Sequence, residues 1–220
     1  MFSDRRTLAT VALALLLLMS GCLGFVTGDE PLTLTAEPAA VADSTAQDAG
    51  YTTNGTQPLA FNRTVEVAGQ ERRVEATNYV TPYTKSMEVG ALGETDVGLF
   101  TVVSTPAADV AGQTLNPIGQ FSNERLVQFV QQQYSDLNDL ERVSAQNITV
   151  QGTETRVTKF SGTATIQGQE IDVYVHVTKY RDGDDYILGV GVYPQRLDGE
   201  EEHVLAMLRA IEHPVEAESV

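Results

Sequence analysis

The sequence predicts an α+β domain in which an antiparallel β-meander is flanked by helices. Three observations lead there. Between Asn147 and Tyr193, Gly-containing turns at Gln151-Gly152-Thr153, Gln167-Gly168-Gln169 and Arg181-Asp182-Gly183-Asp184 divide the chain into four consecutive alternating stretches, which is hairpin spacing. Within the third stretch, Ile171, Val173, Val175 and Val177 share one face of a strand, and Asp172, Tyr174, His176 and Thr178 the other. Helical periodicity then interrupts the strands from Ser122 and closes them after Asp198.

The first element is an export segment. Arg5 and Arg6 precede an apolar run from Leu8 to Met19, followed by Ser20, Gly21 and Cys22: a charged start, an apolar middle and small residues before a cut. Residues 1–21 therefore read as a signal peptide. Leu18-Met19-Ser20-Gly21-Cys22 resembles the lipobox of prokaryotic lipoproteins, with Met19 where Leu is usual. That resemblance implies a lipid-modified Cys22 as the new N-terminus. The adjacent arginines in Asp4-Arg5-Arg6-Thr7 resemble a twin-arginine export signal. The alternative is an uncut anchor: residues 7–28 carry no charged side chain and are long enough to span a hydrocarbon core. Both readings place the following domain outside the membrane, since positive charge holds the N-terminus inside.

Residues 22–31 read as the lipidated Cys and a short tether, 32–213 as one extracytoplasmic domain, and 214–220 as an acidic C-terminal tail. From Leu32 the Leu-Thr-Leu-Thr alternation predicts a strand. Pro38 to Ala49, with Gly50 beyond, predicts a short helix. Arg63 to Val67 and Glu71 to Tyr83 form a hairpin about Ala68-Gly69-Gln70, and Asp96 to Ser104 adds a strand. Ser122 is the expected N-cap of a helix carrying Leu126, Val130 and Tyr134. In the closing helix Val204, Met207, Leu208 and Ile211 fall on one face, while Glu200, Glu201 and Glu202 sit at its start, where the dipole favours anions. Gly189 and Gly191 share a strand face, leaving room for that helix to approach closely.

Composition restricts the function classes. The chain carries 14 Lys plus Arg against 30 Asp plus Glu, a net charge of −16 that becomes −17 once Asp4, Arg5 and Arg6 leave with the leader. A phosphate backbone needs clustered cations, so nucleic acid is not an expected partner. Only Lys85, Lys159 and Lys179 are lysines. This acidic, Lys-poor composition resembles proteins of extreme halophiles. At 1 M salt the Debye length is about 3 Å, so self-repulsion is screened. Cys22 is the sole cysteine, which excludes an intramolecular disulfide and an all-Cys metal site.

No catalytic, cofactor or metal site is predicted. His176, His203 and His213 have no mutual spacing that places two ligands on one helix or strand face. His203 and His213 are expected on or beside the surface of the last helix, and His176 on the polar face of its strand. Gly-x-Ser-x-Gly, Ser-x-x-Lys and Cys–His nucleophile patterns are missing from the sequence. Asp182-Gly183-Asp184-Asp185 lacks the ligand spacing of a calcium loop and reads as a hairpin turn, with weak cation binding at its acidic tip as the alternative. Asn54, Asn62 and Asn147 begin Asn-x-Thr sequons, glycosylation candidates on an exported chain.

The leader, the acidic tether, Gly50-Tyr51, and the stretch from Asp172-Val-Tyr-Val-His-Val-Thr-Lys179 through Tyr193-Pro-Gln-Arg-Leu-Asp198 together resemble an uncharacterised haloarchaeal lipoprotein family. More distantly, the element order over 122–213 is similar to the Mog1/PsbP-type α/β/α sandwich. That resemblance implies a domain that binds or assists other proteins. The expected function is thus a lipoprotein on the outer face of the cytoplasmic membrane, binding a protein or small ligand. The alternative is an enzyme with an unrecognised site, for which Asp172, Tyr174 and His176 are the candidates.

Overall fold

A computed structural model describes residues 31–67, 70–88, 93–110, 113–114, 116–133, 137–166 and 168–216. The predicted signal peptide, Cys22 and nearly all of the tether lie outside these residues, as do Ala68 and Gly69 of the first turn, Tyr134, Gln167 and positions 217–220 of the tail. No helix among the described residues is long and apolar enough to cross a membrane.

The elements in order are β1 (Leu32–Thr35), β2 (Ala40–Val41), α1 (Asp43–Asp48), β3 (Thr52–Thr53), β4 (Gln57–Val67), β5 (Gln70–Glu88), β6 (Glu94–Pro106), β7 (Asp109–Val110) and β8 (Gln113–Thr114). A 3₁₀ turn (Pro117–Gln120), α2 (Asn123–Gln133), β9 (Leu137–Val150), β10 (Thr153–Ile166), β11 (Gln169–Asp182), β12 (Asp185–Pro194), α3 (Glu200–Arg209) and β13 (Ile211–Glu212) follow.

The expected α+β class, a meander flanked by helices or an α/β/α sandwich, is corrected by this inventory: the protein is mostly β, built on one large sheet. Strands β5, β6 and β9 to β11 run 13 to 19 residues, whereas α1, α2 and α3 have 6, 11 and 10. The helix expected over 38–49 is the clearest case. Ala40 and Val41 are instead drawn into a two-residue pairing with Ile211 and Glu212. Only the six residues from Asp43 remain helical.

The chain divides into two compact units. The smaller contains Ala60–Ala76, in which β4 pairs with β5. The larger, Thr35–Leu59 and Thr77–Val220, holds the strand order β5-β6-β12-β11-β10-β9. Neighbours in that series pair antiparallel throughout. The expected run of four strands is present as β9 to β12. At its first turn Gln151 and Gly152 both take positive φ, 46° and 81°, the mirror-image turn geometry that matches strand twist.

Within the larger unit the register sorts side chains cleanly. One face carries Phe100 and Val102 of β6, Ile187 and Tyr193 of β12, and Tyr174, His176, Thr178 and Tyr180 of β11. Against it lies α3, whose Val204, Met207 and Leu208 are fully buried. A Cβ on Gly189 would come within 2.5 Å of Leu208, and one on Gly191 within 2.6 Å of Val204. Both positions must therefore stay bare for α3 to seat.

The opposite face carries Val173, Val175, Val177 and Phe160, packed with Leu126 and Val127 of α2. The start of α2 is pinned to the sheet. Ser122 Oγ accepts from the Arg125 amide, and Asn123 Nδ2 donates to the carbonyls of Arg156 and Val177. Lys179 on this face donates to three carbonyls, those of Ile118, Gly119 and Phe121, at 2.8 to 2.9 Å. Its ammonium thus closes the 3₁₀ turn ahead of α2, while burial pulls its pKa down.

Candidate functional site

Two polar clusters flank α3, one at its N-terminus and one just past its C-terminus. The first grows from the acidic start of the helix. Gly199, at φ 78°, turns the chain into α3 without a side-chain cap. Glu200 then points inward rather than to solvent and is 1% exposed. Its Oε2 lies 2.5 Å from Lys85 Nζ and 3.4 Å from His203 Nδ1. The Tyr51 hydroxyl and Glu200 Oε1 are buried without a hydrogen-bond partner. Desolvation first, and the Glu200 charge second, push the Tyr51 phenol far above its usual range.

Glu201 faces the neighbouring strands. Its Oε2 is 2.6 Å from Lys159 Nζ, which itself sits 3.7 Å above the Tyr174 ring. His176 lies beneath, 0% exposed, stacked on Tyr193 with Nε2 3.1 Å from the Tyr193 hydroxyl. Its Nδ1 is buried and unpartnered. Burial lowers the His176 pKa to about 4, outweighing the opposing pull of Glu201 at 3.9 Å. The imidazole is therefore neutral near pH 7.

Asp172, Tyr174 and His176 do share a face, as expected, but it is not the polar face expected for His176, because the core under α3 packs against it. His176 is sealed, Tyr174 is half-buried under Lys159, and only Asp172 is exposed, at the edge of a shallow polar depression shared with Gln131, Asp139 and Gln195. His203 is half-exposed on α3, close to its expected place. The three sequon asparagines are exposed: Asn54 in a loop, Asn62 in β4 and Asn147 in β9, where its amide donates to Glu154.

The second cluster contains the residue that departs furthest from expectation. His213, expected at the surface, is 7% exposed. The β11–β12 turn sets Asp182 directly opposite Asp185, a pairing that like charges disfavour. The His213 ring enters between them, Nδ1 2.9 Å from Asp182 Oδ2 and Nε2 3.1 Å from Asp185 Oδ2. Asp185 Oδ2 also accepts the Glu37 amide at 2.7 Å. The Glu37 carboxylate, Asp185 and His213 each present one ligand atom, all within 4.8 Å of one another.

Part of this was visible beforehand. A two-residue turn at Gly183-Asp184 places positions 182 and 185 opposite each other, so the paired aspartates could be read. Their closure by residues 37 and 213 could not.

Curated proteins include no match to this chain. Among solved structures, a protein of unknown function, PA94 from Pseudomonas aeruginosa, aligns at 8% identity with a TM-score of 0.36, covering 67% of this chain and 94% of its own. Cyanobacterial PsbP (CyanoP) from Synechocystis sp. PCC 6803 aligns at 10% identity with the same TM-score of 0.36, covering 80% and 92%. A family model matches the sequence itself over residues 38–212, and by that match the chain belongs to DUF6517, a domain of unknown function.

Proposed function

We propose that this protein is an exported, lipid-anchored domain of a salt-adapted cell that binds a partner protein on the outer face of the cytoplasmic membrane. The address rests on the leader and on Cys22, the sole cysteine, placed just after Ser20-Gly21. The salt adaptation rests on the net charge of −16 with only three lysines.

One observation supports the binding role. The sheet face covered by α2 continues past the helix onto β12, β6 and β5. Beneath α2 the face is sealed, with Val175 and Val177 at 0% exposure. Across the register to β12, Val190 and Val192 are half-buried, and on β6 Leu99, opposite Val192, is 52% exposed. Val103, Val80 and the exposed Pro82 extend the same surface. Thr101 and Thr84 interrupt this face, and Val103, Val190 and Val192 pack partly against the α2 cluster. Exposed Leu99 and Pro82 at its margin nonetheless leave apolar surface of the kind that marks an interaction site. A surface spread over three strands suits a protein partner better than a small ligand.

The test joins both halves of the proposal. Protein extracted from membranes at high salt is compared by mass spectrometry with Cys22→Ser, while a photocrosslinking residue replaces Leu99 or, as a control, Asn54. An acylated N-terminus at Cys22 and a discrete protein adduct formed only from position 99 are expected. An unmodified chain retaining Met1 would favour the uncut anchor. No adduct beyond the control, or one carrying only a small molecule, would overturn the protein-binding role.

A further inference from the structure

We propose that Glu37, Asp185 and His213 form a binding site for a divalent transition metal of the zinc class, with Asp182 orienting the histidine. The inference stands apart from the partner-binding role, because the residues lie at the β11–β12 turn, in the chain past α3 and, for Glu37, between β1 and β2.

The donor set supports a borderline metal over a hard one. An imidazole nitrogen with two carboxylates suits zinc and its neighbours, whereas calcium takes six to eight oxygens. The spacing suits it too. Zinc–nitrogen and zinc–oxygen bonds of about 2.0–2.1 Å put adjacent tetrahedral ligands roughly 3.3 Å apart. His213 Nε2 and Asp185 Oδ2 already stand 3.1 Å apart. Glu37 is exposed and its carboxylate lies within 4.8 Å of both, so a side-chain rotation closes the third position. A fourth remains for water or an exogenous ligand.

The surroundings supply a separate reason. A metal-bound histidine characteristically donates its other N–H to a carboxylate, which fixes the tautomer and ring plane. Asp182 Oδ2 occupies that place, 2.9 Å from Nδ1. With that proton held at Nδ1, the Nε2 lone pair faces Asp185 Oδ2 at 3.1 Å, a repulsive contact that a cation bound by both atoms would turn into ligation. The Gln151 amide holds the His213 carbonyl at 3.1 Å, and the Val215 amide donates to the Pro38 carbonyl at 2.9 Å. The ligands are thus fixed by the backbone that carries them. Asp185 itself is 4% exposed, and a buried carboxylate gains from a cation. The Tyr180 hydroxyl, near enough to Asp182 for that charge to help raise its pKa, is buried without a hydrogen-bond partner.

The test is calorimetric titration of the chelator-stripped full chain with Zn²⁺ in two buffers of different ionisation enthalpy, with Ca²⁺ titrated in parallel. One zinc per chain is expected. Asp182→Asn should weaken zinc binding about 10- to 100-fold, the usual effect of losing an orienting partner. His213→Gln should weaken it at least as much. Glu37→Gln, at an exposed position, keeps the test decisive if His213→Gln folds poorly, and at least a tenfold loss is expected. Equal zinc affinity in the parent and in Glu37→Gln and Asp182→Asn would assign the binding to scattered surface acids and overturn the site. So would absence of zinc binding, or calcium binding more tightly than zinc.

Discussion

The two ends of α3 solve opposite electrostatic problems. At the N-terminal end, the buried acid meets a cation: Lys85 on Glu200, with Lys159 on the half-exposed Glu201 beside it. At the C-terminal end, Asp182 and Asp185 face a single imidazole, and the remaining donor to Asp185 is a backbone amide. The first end sets charge against charge under a helix, while the Tyr51 hydroxyl, Glu200 Oε1 and His176 Nδ1 stay buried there without partners. The second gathers ligand-type groups around one histidine. The contrast teaches that burial of charge alone does not mark a site, because what matters is whether the charges are already compensated.

The largest expected effect tests the N-terminal end. Lys85→Met leaves the Glu200 carboxylate, 1% exposed, without its cation. Breaking one partner of a buried pair costs about 3–5 kcal/mol. Lys85 retains 14% side-chain exposure, which points to the lower end of that range. Denaturant unfolding at constant high salt measures it. The double variant Lys85→Met with Glu200→Leu should recover most of the loss, since apolar replacement of both partners is near neutral. A double variant as unstable as the single one would show that the pair fixes the seating of α3 beyond its own charges.

Next in size is a pH dependence that belongs to the same end. Unfolded, His176 takes up a proton near pH 6.5, while the folded imidazole stays neutral down to about 4. Between those values the unfolded chain binds more protons, so stability falls as the pH is lowered. The His176 contribution is complete above the unfolded pKa and is lost on acidification through the window. At 1.36 kcal/mol per unit this amounts to about 3 kcal/mol. His176→Gln lacks the titration. The stability gap between parent and variant should therefore narrow by about that amount from pH 6.5 to pH 4, the flanking groups Glu201, Lys159, Tyr174 and Tyr193 being common to both. A constant gap would mean that Glu201 offsets the desolvation of the ring.

These effects also mark how much of the fold was legible in the sequence. Strands β9 to β12, the Ser122 start of α2, the face of α3 and the bare Gly189 and Gly191 follow from local periodicity and turn chemistry, which one segment reveals by itself. The helix expected over 38–49 failed because Val41 pairs with Ile211, 170 positions away, and no local signal carries that. The balance of the fold misled for a related reason. The turns at 152, 168 and 183 bound β10 and β11, but no local signal discloses that β9 begins at Leu137 rather than Asn147, or that β5 and β6 run to 19 and 13 residues. The inward turn of Glu200 had no signal either, since an acid in a first helical turn normally meets the dipole and solvent. His213 was misplaced because its surroundings come from β11, β12 and the segment at Glu37.

The smallest effect separates burial from pairing. Lys159 resembles Lys85 in sequence terms and makes an ion pair of similar length, 2.6 Å. Its partner differs: Glu201 is 41% exposed, so water stabilises the carboxylate when the lysine is removed. Exposed pairs are worth about 0.2–1 kcal/mol, and the ammonium over the Tyr174 ring adds roughly 0.5–1 kcal/mol. Lys159→Met should accordingly cost about 1 kcal/mol in the same unfolding experiment, with the ion-pair part weakening as salt is raised. A loss from Lys159→Met matching that from Lys85→Met would place the strength of this end in the two cations alike. The burial of Glu200 would then not be the cause of the difference.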